Sequence, residues 1–141
     1  MTNALYQQFM ASGDTLWVLS DSKRVFSSKK DLLVPLLEYI QQFSPIYTEV
    51  TVFDRIMGNA AALLSINALA KEIRSPKGSQ HALNTLKEFN IEYHIDEIVP
   101  FIQARDGVNT CPMEEMSVSG SFSPEEFYNE VLQKYKQNGW I

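Results

Sequence analysis

The stretch that decides the fold of this chain is Phe53-Asp54-Arg55-Ile56-Met57-Gly58-Asn59-Ala60-Ala61-Ala62-Leu63-Leu64. It runs from an extended apolar segment through a short polar break into a helix of small side chains, which can lie close against a sheet. The N-terminus of such a helix leaves backbone N–H groups unpaired beside the carboxyl end of a strand, where open α/β sheets bind ligands. The stretch therefore predicts an α/β fold with a binding site at this strand-to-helix junction.

Before this stretch, the apolar pattern predicts a helix, a hairpin and a second helix. The first helix covers Thr2–Met10, and the second runs from Asp31 to Phe43 with Pro35 near its first turn. Between them, the strands Thr15–Leu19 and Arg24–Ser27 flank a turn-forming sequence, so they should form an antiparallel hairpin.

From the stretch onward, strands and helices alternate, which predicts parallel or mixed pairing. A strand is expected over Ile46–Phe53, followed by the small-residue helix from about Ile56 to Ala68, a brief strand over Lys71–Arg74 and a break at Ser75–Gly78. A helix capped by Ser79 and a strand over Ile91–Ile95 come next. A further helix starts at Cys111–Glu115, and a terminal helix runs from Ser123, with Glu126 completing a capping box, to about Lys136. The predicted fold class is three-layer α/β/α, with a mixed sheet of about five strands and an N-terminal antiparallel hairpin.

Composition restricts the classes of function. The 141 residues predict one domain over 1–141, and the 45% hydrophobic and 21% charged fractions are typical of a cytoplasmic globular protein. No apolar run is long enough for a membrane span, and Met1–Gly13 does not look like a signal peptide. The net charge of −5 includes no concentrated basic surface, so neither nucleic acid nor membrane is an expected partner. The single cysteine, Cys111, excludes an internal disulfide.

Three blocks of sequence resemble a known family. They are Asp54 to Leu64, then Glu97-Ile98-Val99-Pro100-Phe101-Ile102, and Arg105-Asp106-Gly107 through Cys111-Pro112-Met113-Glu114. Together they resemble the prokaryotic domain-of-unknown-function family 1893. The resemblance covers most of the chain and implies a cytidine-deaminase-like fold.

The resemblance also allows a test for zinc chemistry. In zinc deaminases, a His or Cys followed two residues later by Glu begins one helix, and Pro-Cys-x-x-Cys begins another. Laid on these motifs, Met57 takes a metal-ligand position and Asn59 the acid/base position, while Cys111 and Glu114 take the other two ligand positions. A thioether is a poor zinc ligand and an amide does not shuttle protons at neutral pH. We therefore expect no zinc, no cofactor and no zinc-dependent deamination.

Eight residues are candidates for ligand binding at the two helix starts. They are Asp54, Arg55, Gly58, Asn59, Arg105, Asp106, Cys111 and Glu114. Structural roles remain open for several of them. Asp54 is also a suitable N-cap, Gly58 also suits close helix–sheet approach, and Arg105 and Asp106 could pair across a turn. Cys111 is either a small buried residue or a thiol whose pKa a helix N-terminus lowers.

Three functional hypotheses follow from these candidates. The first is a binding domain for a small molecule, nucleoside-like or another polar heterocycle. The second is a metal-independent enzyme that uses Cys111 with Arg105 and Asp106. The third is an oligomeric protein-interaction module, for which the aromatic residues, 11% of the chain, offer contact surface. A homodimer is the expected assembly.

Overall fold

The computed structural model describes residues 2–103 and 112–141, which form a five-stranded sheet with helices on both faces. The elements in chain order are α1 (Thr2–Ala11), β1 (Leu16–Ser20), β2 (Lys23–Ser28), α2 (Val34–Phe43), β3 (Val50–Asp54), α3 (Asn59–Asn67), β4 (Ala70–Ser79), α4 (Gln80–Glu88), β5 (Glu92–Val99), α5 (Pro112–Ser119) and α6 (Pro124–Gln137). None of the described helices has the length and apolar content needed to cross a membrane.

The sheet is mixed, with the strand order β2-β1-β3-β4-β5. Strand β1 pairs antiparallel with both β2 and β3, whereas β3, β4 and β5 run parallel. The predicted fold class and its N-terminal hairpin are therefore confirmed. Because parallel strands end at the same edge, Asp54, Ser79 and Val99 lie at one edge of the sheet. Leu16, which opens β1, pairs with Asp54 at that edge.

The two faces of the sheet are covered unequally. On one face, Tyr6 and Phe9 of α1 pack against Trp17, Leu19 and Phe53 of the sheet and form a small, mostly aromatic cluster. On the other face, α2, α3, α4 and α6 bury the larger core. Alternation along β1 and β3 explains this division, because successive strand side chains point to opposite faces. Leu16, Val18, Val50 and Val52 enter the larger core, whereas Trp17 and Phe53 meet α1.

The predicted break at Ser75–Gly78 is wrong, because β4 continues through it to Ser79. Its second half pairs with β5, with Lys77 opposite Glu97 and Ser79 opposite Val99. By then β3 has ended, since its last pair with β4 is Phe53 with Arg74. Pro76 therefore lies where β4 has lost that neighbour, and its missing N–H costs less there than in a strand paired on both sides. Strand β5 correspondingly ends at Val99, not at Ile95.

Helix boundaries were predicted well where a capping side chain is present. Ser79 accepts a hydrogen bond from the amide of Ala82, and Ser123 forms the expected capping box with Glu126. For α3, the sequence suggested Asp54 as a suitable N-cap. Gly58 is the N-cap instead, and Asp54 is the last residue of β3. No side chain of its own segment caps α3.

The aromatic cluster under α1 gives a test of the smaller core. Phe9 is fully buried, with its ring centroid 5.6 Å from that of Trp17 and 5.7 Å from that of Phe53. We expect Phe9→Ala to lower the free energy of unfolding by roughly 3–5 kcal/mol through lost burial and the cavity left behind. Gln7→Ala, an exposed change on the same helix, should alter it by less than about 0.5 kcal/mol. Urea unfolding measures both. Equal effects would contradict this packing.

Candidate functional site

A cavity of about 950 Å³ lies at the sheet edge where β3 ends. Its walls come from the start of β1, the first turns of α2 and α3, the start of α5, and the C-terminal segment. The lining is mostly apolar, with Leu32, Leu33, Pro35, Leu36, Ile56, Ala60, Ala61, Ile102, Met113 and Trp140 among its residues. Three carboxylic side chains, Asp31, Asp54 and Glu114, also line it. Such a site combines an apolar body with a few convergent polar groups.

Glu114 is a buried carboxylate that caps another helix. Its residue is 2% exposed, and Oε1 accepts a hydrogen bond of 2.6 Å from the Asn59 amide at the start of α3. Its second oxygen, Oε2, makes no hydrogen bond of ordinary geometry with a described residue. Burial raises the pKa of Glu114, while the Asn59 amide and the Ser79 hydroxyl oppose that rise. Glu114 thus supplies the cap that Gly58 cannot provide.

Gly58 makes room for this carboxylate. A Cβ at Gly58 would lie 2.7 Å from Glu114 Oε2 and 3.0 Å from Ile102 Cγ1. The backbone of Gly58 has φ −80 and ψ 174, which any residue adopts. Space, and not conformational freedom, is therefore what requires glycine here. The sequence prediction of a close approach at Gly58 locates the right residue, although its neighbour is Glu114.

Asn59 serves structure and does not line the cavity. Its Nδ2 donates to the backbone oxygen of Ser117 at 3.3 Å and to Ser117 Oγ at 3.1 Å. Its Oδ1 accepts a short hydrogen bond from the Thr85 hydroxyl. With these partners the amide joins α3 to α4 and α5. It has little capacity left for a ligand.

Asp54 is the last residue of β3, half-buried, and lines the cavity. Burial raises the pKa of Asp54 to about 7, and hydrogen bonds from the Ile56 and Arg55 amides only partly offset it. The Ile56 amide donates to Oδ1 at 3.4 Å. No ion pair of Asp54 is found among the described residues. Asp54 is thus a half-buried carboxyl group in the cavity wall, and its burial raises its pKa to about 7.

Arg55 follows Asp54, but its guanidinium lies against α1. It donates to the backbone oxygens of Phe9 at 2.8 Å, Ser12 at 2.9 Å and Asp14 at 2.9 Å. Its Cζ is also 4.5 Å from the centre of the Phe9 ring. The guanidinium therefore fastens the end of α1 to the β3–α3 junction. These contacts leave it poorly placed to bind a ligand in the cavity.

The remaining candidates, Arg105, Asp106 and Cys111, lie outside the described residues, as does the predicted turn at 105–107. The residues on either side of that segment, Gln103 and Pro112, line the cavity. Of the described candidates, Asp54, Arg55, Gly58 and Glu114 line the cavity, but the Arg55 guanidinium is bound by the end of α1.

The positions compared with zinc ligands have other neighbours. Met57 is fully buried in the larger core, and its backbone pairs with β4 through Lys77 and Ser79. Met57 does not line the cavity.

Within 2–103 and 112–141, one group of side chains could hold a metal ion, and it lies away from the cavity. It comprises Glu72, Glu92 and His94 on β4 and β5, whose ligand atoms lie within 4.8 Å of one another. Burial and the nearby Glu92 carboxylate raise the pKa of Glu72. Glu92 and His94 are exposed, and this arrangement alone assigns no metal.

Sequence reasoning missed the half of the cavity formed by the start of α2 and by the C-terminus. Leu33 is the N-cap of α2, and its amide donates to the Tyr135 hydroxyl at 3.3 Å. Trp140 follows the end of α6 and packs edge-on against Tyr135, with ring centroids 5.1 Å apart. An aromatic residue placed beyond the Asn138-Gly139 helix stop is the one sequence signal that could have indicated a site there.

Comparisons with known proteins cover nearly all of these elements. A family model described as a domain of unknown function (DUF1893) matches residues 5–135. The crystal structure of a DUF1893 family protein from Thermotoga maritima is similar, with a TM-score of 0.84 and 28% sequence identity. That similarity covers 94% of this chain and 88% of the other. No curated protein matches this chain significantly.

The contact between Gly58 and Glu114 leads to a prediction about stability. We expect Gly58→Ala to destabilise the fold by roughly 1–3 kcal/mol, because the new methyl group would displace a buried carboxylate. Gly13→Ala is the matched control, since its Cβ would meet only the flexible Lys29 Nζ at 3.3 Å. In a double-mutant cycle with Glu114→Ala, the two changes should be coupled. Additive effects in urea unfolding would contradict the contact.

The raised pKa of Asp54 predicts how stability depends on pH. An unfolded Asp titrates near 3.9, so the folded state binds the proton more tightly. The free energy of unfolding is therefore highest below about pH 4, where Asp54 is protonated in both states. It falls as pH rises toward 7, because Asp54 then ionises in the unfolded state first. Asp54→Asn should remove this loss and be more stable than the wild type at pH 8, by on the order of 1–3 kcal/mol.

Unfolding at pH 4, 6 and 8 measures the effect of Asp54→Asn, with the advantage of the variant growing across the series. The control is Asp21→Asn, an exposed change in the hairpin turn at the other end of β1. The same pH response in both variants would argue against burial of Asp54.

Proposed function

We propose that this chain, which belongs to the DUF1893 family, is a cytoplasmic domain that binds a nucleoside-like molecule or another polar heterocycle. The ligand would occupy the cavity between the first turns of α2 and α3. Binding would need neither zinc nor deamination.

The observation that carries this proposal is the cavity itself. Its volume of about 950 Å³ lies within the range of roughly 300–1,000 Å³ typical of small-molecule sites. Its walls are mainly apolar, and the carboxyl group of Asp54 provides a polar contact at the β3–α3 junction. Flat heterocycles match this combination, because their faces are apolar and their edges carry hydrogen-bonding groups.

Two features of the rim support binding. Leu32 lines the cavity with its backbone at φ +61, in the left-handed region that leucine rarely adopts. Such strain costs roughly 1–3 kcal/mol and tends to occur at functional sites. Trp140 is 52% exposed and also lines the cavity, so its ring offers a surface on which a flat ligand can stack.

The cytidine-deaminase-like fold that the family resemblance implies supports a base-like ligand, and two side chains argue against the deaminase reaction. Met57 is packed in the core, and the amide of Asn59 bonds Ser117 and Thr85. Neither could serve as zinc ligand or general acid/base at the cavity.

A metal-independent enzyme is the second candidate, and the raised pKa of Asp54 favours it. A carboxyl group that titrates near 7 is suited to general acid/base chemistry at neutral pH. In this alternative Cys111, Arg105 and Asp106 contribute the remaining chemistry, from the segment between Gln103 and Pro112. The two candidates differ in outcome, since an enzyme converts its ligand and a binding domain releases it unchanged.

The proposal is tested with a panel of free bases and nucleosides. At a concentration 100 times its Kd, a ligand stabilises the native state by about 2.7 kcal/mol, which raises the melting temperature by several degrees. We expect at least one member to do so and to change the fluorescence of Trp140. Chromatography of the recovered ligand then distinguishes binding from conversion.

Trp140→Ala should weaken binding of that ligand by about tenfold, in line with the 1–3 kcal/mol that stacking contributes. The control is Phe89→Ala, a change of an aromatic residue that is 40% exposed and does not line the cavity. A panel without any stabilising member would remove the support for the proposal. Equal affinities of both variants would place the ligand elsewhere.

A further inference from the structure

The positive charges around the cavity are engaged in other contacts. In the described part of the chain, two basic residues line it, Lys30 and Arg55. The Lys30 ammonium group forms an ion pair of 2.7 Å with Glu38, which does not line the cavity. The Arg55 guanidinium bonds the backbone oxygens at the end of α1. Among the described residues, neither Asp54 nor Glu114 forms an ion pair, although the charge of His81 opposes the rise in the Glu114 pKa.

The start of α3 is already occupied by an anion from the chain itself. A helix N-terminus generally binds phosphate or carboxylate through its free amides and the helix dipole. Here Glu114 takes that position, with Oε1 2.6 Å from the Asn59 amide. A phosphate at the same place would meet the Glu114 carboxylate at close range. An anionic ligand is therefore disfavoured on this side of the cavity.

The carboxyl oxygens that remain are hydrogen-bond acceptors. Glu114 is 2% exposed and its Oε2 is enclosed, and the Asn59 amide, the Ser79 hydroxyl and the Ile102 amide already interact with its carboxyl group. Asp54 has only backbone amides as partners, with the Ile56 contact long at 3.4 Å. A carboxylate accepts up to about four hydrogen bonds and binds planar groups with two parallel N–H donors especially well.

We infer that the cavity selects a planar nitrogen head group with adjacent N–H donors, an amidine or an amino-substituted nitrogen heterocycle, which Asp54 binds. This inference rests on the proposed binding function and narrows its ligand class. Ligands that carry phosphate or carboxylate at the head are disfavoured beside Asp54 and Glu114.

Three benzene derivatives of similar shape test the head group. Benzamidine has a cationic head with paired donors, benzamide a neutral one with a single donor nitrogen, and benzoate an anionic one. Titrations of the full chain, followed by calorimetry and Trp fluorescence, should show binding of benzamidine and at least about tenfold weaker binding of benzamide. Benzoate and inorganic phosphate should not bind.

Asp54→Asn should weaken benzamidine binding by about tenfold and change benzamide binding much less. Asp21→Asn, the same substitution at the hairpin turn, should change neither. The comparison of probes on the wild-type chain does not depend on any variant folding. Circular dichroism confirms that Asp54→Asn is folded.

Each contrary outcome has a definite meaning. Equal binding of benzamide and benzamidine, or binding of benzoate or phosphate in the cavity, would overturn the selection of a donor head group. So would unchanged benzamidine binding in folded Asp54→Asn. If a nucleoside from the panel binds and benzamidine does not, the inference fails while the proposed function stands. If no probe and no panel member binds, both fail.

Discussion

The cavity and the helices around it depend on one buried charge, the carboxylate of Glu114 at the start of α3. Its hydrogen bond with the Asn59 amide takes the place of the side-chain cap that Gly58 cannot supply. The Asn59 side chain then bonds Ser117 on the same helix as Glu114, and Thr85 on α4. A buried polar group that loses its partner destabilises the fold by more than its hydrogen bond stabilises it. We therefore expect the loss of one of these contacts to weaken the others.

This arrangement changes what the strand-to-helix junction can bind. In open α/β sheets a helix N-terminus at the carboxyl edge is a ready anion site. In this chain the anion is internal, and the neighbouring arginine, Arg55, is held by backbone oxygens of α1. What remains at the junction are hydrogen-bond acceptors, above all Asp54, inside a mostly apolar cavity. The N-terminus of α3 would by itself favour a phosphate, but with Glu114 in place the junction favours ligands that donate hydrogen bonds.

The elements that the sequence predicted well are those with local signals. Alternation and a turn sequence marked the hairpin, and Ser79 and Ser123 marked two helix starts through their own side chains. The full length of β4 was missed, because Ser75-Pro76-Lys77-Gly78 has the composition of a break. Pairing with β5 and with Met57 extends the strand through it. Such pairing is a long-range property that no local pattern contains.

The site was predictable in position and only partly in its residues. Asp54, Gly58 and Glu114 meet at the cavity, but the polar groups of Arg55 and Asn59 bond other parts of the protein. The partners that engage Arg55 lie 41 to 46 residues away along the chain, and Ser117 lies 58 away from Asn59. Residue type shows what a side chain can donate or accept, and only the fold shows whether a protein group has already taken it. A polar residue at a helix start is therefore a better guide to a ligand when its burial, partners and remaining acceptors are known together, as they are for Asp54.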